Sequence, residues 1–246
     1  MMRPSTFLFL MAFIIVPTNG QARASCATND MPCLFKIIES ETMKMDEPRW
    51  RNQAYRDLAV SKAMAADYDG ATALINQIDN ADTQAMTIRA IGMAIAIHQD
   101  LSDETYKHVF AKLDKSAQGI KDDGAKDIAY TYIAMAQAFA GLDNDAMQTT
   151  LQMTNPALKN KAYGETAEIQ AERGDKAAAL ASLNAIGSSA FKNKALAIVS
   201  GIFLKNNDVD TALSMAMMID NPTKKISAIQ KIIDKEQGLN EMPKRP

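Results

Sequence analysis

The feature that most constrains this chain is a self-similarity with a period of 33 residues. The stretch "AYGETAEIQAERGDKAAA" from Ala162 to Ala179 has counterparts in "AYRDLAVSKAMAADYDGA" from Ala54, "AYTYIAMAQAFAGLDNDA" from Ala129 and "ALAIVSGIFLKNNDVDTA" from Ala195. In each, two alanines seventeen apart bracket a Gly, Asn or Asp cluster that falls shortly before the second. Ala129, Ala162, Ala195 and Ala228 step by 33, as do Ala54 and Thr87, whereas Thr87 to Ala129 is 42, one period plus nine. The surplus is expected in or beside "QGIKDDGAKD", Gln118 to Asp127, a polar segment with turn residues. A period of this length marks supersecondary units that cannot bury an apolar face alone and build a core by stacking.

Each unit reads as two helices. Apolar and small residues recur at helical spacing, as in Leu58, Ala59 and Ala63, a polar turn follows, and a second helix such as "AALASLNAI" runs up to "NP", "GSS" or "DNP". Pro156 and Pro222 end these second helices, since proline cannot continue one. Ala59, Ala134, Ala167 and Ser200 in the first helix, with Ala71, Ala146, Ala179 and Ala212 in the second, let the pair approach closely. No regular period-two alternation argues for sheet. The expected fold is all-α, a solenoid of about five helix-turn-helix repeats over 53–237.

The Ala-Tyr starts at Tyr55, Tyr130 and Tyr163, the small residue four further on, the Gly174-Asp175 turn and the alanine after it resemble tetratricopeptide repeats. The match departs from that family in three ways. The family's usual period is one residue longer; Lys62, Gln137 and Gln170 stand where a second aromatic is typical, with Phe203 alone conforming; and Glu104 replaces the alanine after the turn. Sel1-like or other helical-hairpin repeats fit the same pattern. The tetratricopeptide resemblance implies a concave wall made by the first helices. Carried over position by position, it implies groove residues Arg56, Val60 and Met64, then Arg89, Met93 and Ile97, then Met135 and Phe139, with Glu168, Glu172 and Lys205 further on. The front half is then Met-rich and apolar with two arginines, and the back half charged. Methionine is flexible and polarizable, suited to varied apolar partners, although at helical spacing it serves equally as core filling.

The ends carry different information. "MMRPSTFLFLMAFIIVPTNGQARASC" has a basic start at Arg3, an apolar run Phe7 to Val16, breakers Pro17 and Gly20, and small residues around Ala22-Arg23-Ala24. That is the layout of a secretory signal over 1–24, and its run is far short of the roughly twenty apolar residues a membrane span needs. Arg23 stands where a lipoprotein signal places an aliphatic residue, which argues against lipidation of Cys26. The expected location is the periplasm or outside the cell, with no stable membrane insertion once the signal is removed. There, Cys26 and Cys33 are expected to form a disulfide within the capping segment 25–52. In that segment "CLFKIIESETMKM", Cys33 to Met45, reads as a helix, and Trp50 is expected to cover the exposed end of the first unit. The tail 238–246, "GLNEMPKRP", is polar with two prolines.

Without residues 1–24 the chain carries 25 basic and 29 acidic residues, scattered rather than blocked, which gives no electrostatic footprint for nucleic acid. The two histidines, His98 and His108 in "HQDLSDETYKH", can be drawn into a metal or enzymatic site with Asp100 and Glu104, but their spacing matches no zinc pattern. Glu165, Glu168 and Glu172 are flanked by Lys161, Arg173 and Lys176 and read as a mixed-charge face. No nucleotide-binding or nucleophile-elbow motif is present, and no cofactor is expected. The expectation is a non-enzymatic exported module that binds a protein or peptide in its groove. A structural envelope scaffold that uses outer or end faces, self-association included, is the rival.

Overall fold

The pattern of caps sets the architecture. In the computed structural model, which describes residues 26–98 and 101–238, twelve helices follow one another with no strand among the described residues. They are α1 (Met31–Met43), α2 (Pro48–Met64), α3 (Tyr68–Ile75), α4 (Ala81–Ile97), α5 (Asp103–Gln118), α6 (Asp123–Phe139), α7 (Asp143–Leu151), α8 (Pro156–Glu172), α9 (Lys176–Ala185), α10 (Ser189–Lys205), α11 (Val209–Met217) and α12 (Pro222–Glu236). The long, even-numbered helices α2 to α10 are each 17 residues. The prolines expected to end the second helices instead begin long ones: Pro156 and Pro222, with Pro48, are first helical residues, where the missing N–H has no helical partner to lose. Asn80, Asp122, Asn155 and Asn221 precede the long helices, and each side chain accepts from a backbone N–H of the first turn.

The turn from a long helix to its short partner needs one left-handed residue. Ala66, Gly141, Gly174 and Asn207 hold that place with φ of 61°, 80°, 78° and 64°. Glycine and asparagine adopt this conformation cheaply and alanine does not. The Gly/Asn clusters of the sequence therefore mark a backbone requirement.

Each long helix from α2 to α10 packs against the next long helix, and α2, α6, α8 and α10 each pack closely against the short helix that follows. The small residues lie at these contacts: Ala59, Ala134 and Ala167 are fully buried, Ser200 is 2% exposed, and Ala71, Ala146, Ala179 and Ala212 are fully buried. A Cβ on Gly92 would lie 3.0 Å from the Ala136 Cβ, so α4 and α6 pass too close there for a larger residue without a shift.

A second registered contact joins successive units. The fifth residue of a long helix accepts a backbone N–H two residues before the next long helix. Asn52 accepts from Asp79 (3.1 Å), Asn160 from Gly187 (2.8 Å) and Asn193 from Asp220 (2.8 Å). Asp127 does more, accepting the Thr154 N–H (3.0 Å), the Thr154 hydroxyl (3.2 Å) and the Asn155 N–H (2.6 Å). These loops would otherwise hold unpaired backbone donors beside the core.

The structure corrects three further sequence readings. The nine extra residues do not gather at 118–127: they lengthen the turn before α5 and give α5 16 residues against 8 in α3. That shift also explains Glu104, because the fourth residue of α5, in register with Ala71, is Tyr106. Tyr106 is buried and its hydroxyl donates to the His98 carbonyl, so this hairpin is spread by a large side chain rather than closed on alanine. Lastly, Trp50 is not packed down as a cover but lines an open cleft with Arg49, Asn52 and Asp79. It is 59% exposed with the Arg49 guanidinium 5.2 Å from the ring centroid, while Phe35 and Thr42 are the buried residues of α1, which packs on α2. Cys26 and Cys33 do lie at disulfide distance, with Cα atoms 5.7 Å apart. The expected signal, 1–24, and nearly all of the tail lie outside the described residues.

Candidate functional site

Three places on the surface could carry function, and each follows from the helix register. The first comprises the implied groove residues. Arg56, Val60 and Met64 are four apart on α2, Arg89, Met93 and Ile97 on α4, and Met135 and Phe139 on α6, so each set lies along one helix face. Val60, Met93 and Met135 are half-buried, whereas Met64, Ile97 and Phe139 are 52%, 65% and 38% exposed. Those three are the last residues of their helices, in one register, and in α8 and α10 that register holds the exposed Glu172 and Lys205. Arg56 is half-buried. Arg89 lies with its guanidinium 5.0 Å from the Tyr132 ring centroid, tying α4 to α6 by a cation–π contact. Tyr132 is a residue that sequence reasoning missed, and its one available signal was its place three residues before Met135.

The second place continues the same faces. Between α8 and α10 a cleft of about 240 Å³ is lined by Lys161, Glu165, Glu168, Phe191, Lys194 and Ile198 among others. Gly164 and Ala195 bring the helices together at its floor, a Cβ on Gly164 falling 3.5 Å from that of Ala195. Burial pushes the Glu168 carboxyl above its usual range, with Glu165 adding to the rise. Glu168 was foreseen from the sequence, but Phe191 and Lys194 were not, because they belong to the next unit and only the stacking brings them in.

The third place holds the histidine. A cleft of about 400 Å³ between α3 and α5 is lined by Asp67, Tyr68, Asp69, Glu104, Thr105 and His108 among others. The His108 Nε2 is 3.0 Å from Asp69 Oδ1, and the Lys112 Nζ is 2.5 Å from the same oxygen. Hydrogen bonds from Lys112 first and His108 second hold the Asp69 carboxyl below its ordinary range. His98 lies instead at the C-terminal cap of α4, where its carbonyl accepts from Tyr106. The two histidines thus take different partners; Asp100 lies outside the described residues, among which no group of three or more His, Cys, Asp or Glu could hold a metal.

Among the described residues no helix is long and apolar enough to cross a membrane. No known family model matches the chain, and no curated protein matches it either.

Proposed function

We propose that this chain is an exported α-solenoid of tetratricopeptide-like repeats that binds a protein or peptide along the faces of its long helices. The observation that carries the reading is the stripe Met64, Ile97 and Phe139. Three large apolar side chains are exposed in one register of three successive helices, where the same register holds Glu172 and Lys205 further on. Stability does not require apolar residues at exposed positions, so their alignment points to a partner. Half-buried Val60, Met93 and Met135 extend the apolar strip along each helix, and Arg56 and Arg89 offer charge for an acidic group or a carboxylate. The reading places Cys26 and Cys33 in an oxidising compartment, where such a pair persists as a disulfide.

The test is chemical crosslinking in intact cells followed by capture of the chain, with Ile97→Lys/Phe139→Glu beside the wild type. Capture of a defined partner is expected to fall at least tenfold, about 1.4 kcal/mol, in the double variant. Equal capture by both proteins would move binding off this stripe and favour the scaffold.

A further inference from the structure

The order of helices is uneven at its two ends. Inner units pair a 17-residue helix with a following helix of 8–10 residues, or 16 in α5; by register α1 is such a second helix with no first helix before it among the described residues, and α12 is a first helix with no second helix after it among the described residues. The sequence identifies α1 as a second helix by register: "TMKMDEP" from Thr42 aligns with "TLQMTNP" from Thr150 and "AMMIDNP" from Ala216, each running into the first proline of a long helix. Thr42, Thr150 and Ala216 are all buried, so α1 packs on α2 as the inner short helices pack on the long helices that follow them.

The faces left over are apolar. Met45 stands where Met153 and Ile219 are 3% and 0% exposed, yet it is 40% exposed, and Ile38, in register with fully buried Ala146, is 44% exposed. At the other end Ile233, in register with buried Ser200, is 41% exposed. Ile226 is 67% exposed where the inner units place the asparagine or aspartate that caps the next loop. An end meant for solvent would carry polar residues at these positions. The charges differ in sign. Helix α1 holds Glu39 and Glu41 against Lys36, and the residues flanking it from 30 to 47 add Asp30, Asp46 and Glu47 against Lys44. Helix α12 holds four lysines, at 224, 225, 231 and 235, against Asp234 and Glu236.

We infer that the occupant of each end is the opposite end of a second copy: α1 of one chain docks on α12 of another, in the place that a second helix holds on the inner long helices. Like ends repel and unlike ends attract, which selects head-to-tail over two-fold pairing. The isoleucines standing where inner hairpins have alanine or serine hold this pair wider apart than an inner one. Such a contact does not close on itself, so copies add in a row or a ring.

Sedimentation velocity of the purified chain over a wide concentration range, at low and high salt, tests this with two variants. Ile38→Lys spoils the first end and Ile226→Glu/Ile233→Glu the second, all at exposed positions. The wild type is expected to gain mass with concentration, less so at high salt, and each variant alone to remain a monomer. An equimolar mixture of the two variants, which leaves one working end of each kind, should form dimers and nothing larger. A wild type that stays monomeric throughout overturns the proposal, as does a mixture that stays monomeric while the wild type assembles. Dimers formed by the Ile38→Lys chain alone would mean that α12 pairs with α12. A fall in melting temperature for the α12 variant without any assembly of the wild type would mean that the chain's own residues cover that face, and the inference would fail.

Discussion

The long helices have two sides that obey different rules. At the fifth residue α2, α6, α8 and α10 carry Asn52, Asp127, Asn160 and Asn193, buried except for the half-buried Asn160 and all bound to the backbone of the following loop; Ala85 in α4 and Ile226 in α12 break the series. At their last residue they carry Met64, Ile97, Phe139, Glu172 and Lys205, all exposed and chemically unlike one another. The register repeats at both positions, but only the first is constrained by folding. A buried N–H must have an acceptor, whereas an exposed side chain can be apolar or charged with little effect on the fold. Variation at the last position is therefore where function can be written.

The sharpest way to break the first side is Asp127→Ala. It removes the acceptor for two backbone N–H groups and a hydroxyl next to the core, and a loss of about 3 kcal/mol is expected in urea or thermal unfolding. Asn193→Ala removes one such bond and is expected to cost about 1 kcal/mol. The Ile97→Lys/Phe139→Glu protein belongs to the second side and should unfold within about 0.5 kcal/mol of the wild type. Equal losses at the two sides would end the distinction.

A smaller effect comes from polar pairs buried inside the hairpins. The Gln137 amide oxygen accepts from the Thr149 hydroxyl at 2.8 Å, and Gln170 accepts from Ser182 in the same way one unit later. One unit further the same register holds Phe203 and Met215, both buried in one cluster. The long and short helices change chemistry together. Gln137→Phe or Thr149→Met alone is expected to cost about 1–2 kcal/mol, with the double variant recovering about 1 kcal/mol of the sum in a double-mutant cycle. Additivity would show that the register tolerates mixed pairs.

Much of this was legible beforehand, because alanines, turn residues and prolines recur at a fixed period and each has one physical reason to recur. Ala167, Gly174 and Ala179 alone locate a hairpin. The buried glutamines were visible too, but read as departures from an aromatic pattern, since a single chain does not reveal that Thr149 and Ser182 sit opposite them. Tyr106 was hidden for a different reason. Two extra residues before α5 shift its register, so counting by 33 lands on Glu104. The cleft at Glu168 draws Phe191 and Lys194 from a neighbouring unit, and the exposed ends emerge only when burial is compared between equivalent positions.

Glu168 tests the boundary between the two sides, being half-buried at a position assigned to the groove. Burial, then the nearby Glu165, raises its carboxyl above the usual value, so the folded state holds this proton more tightly than the unfolded chain does. For an acid shifted upward, the ionised form weakens the fold at every pH above the folded value. The penalty fades as pH drops through that value and is gone below the unfolded one. Glu168→Gln removes the charge and should raise the melting temperature slightly at neutral pH, the smallest of these effects, with the difference from wild type vanishing in acid. A constant difference at all pH values would assign the change to packing, and a destabilised variant at neutral pH would mean that the Glu168 carboxylate is held by the folded protein rather than merely tolerated.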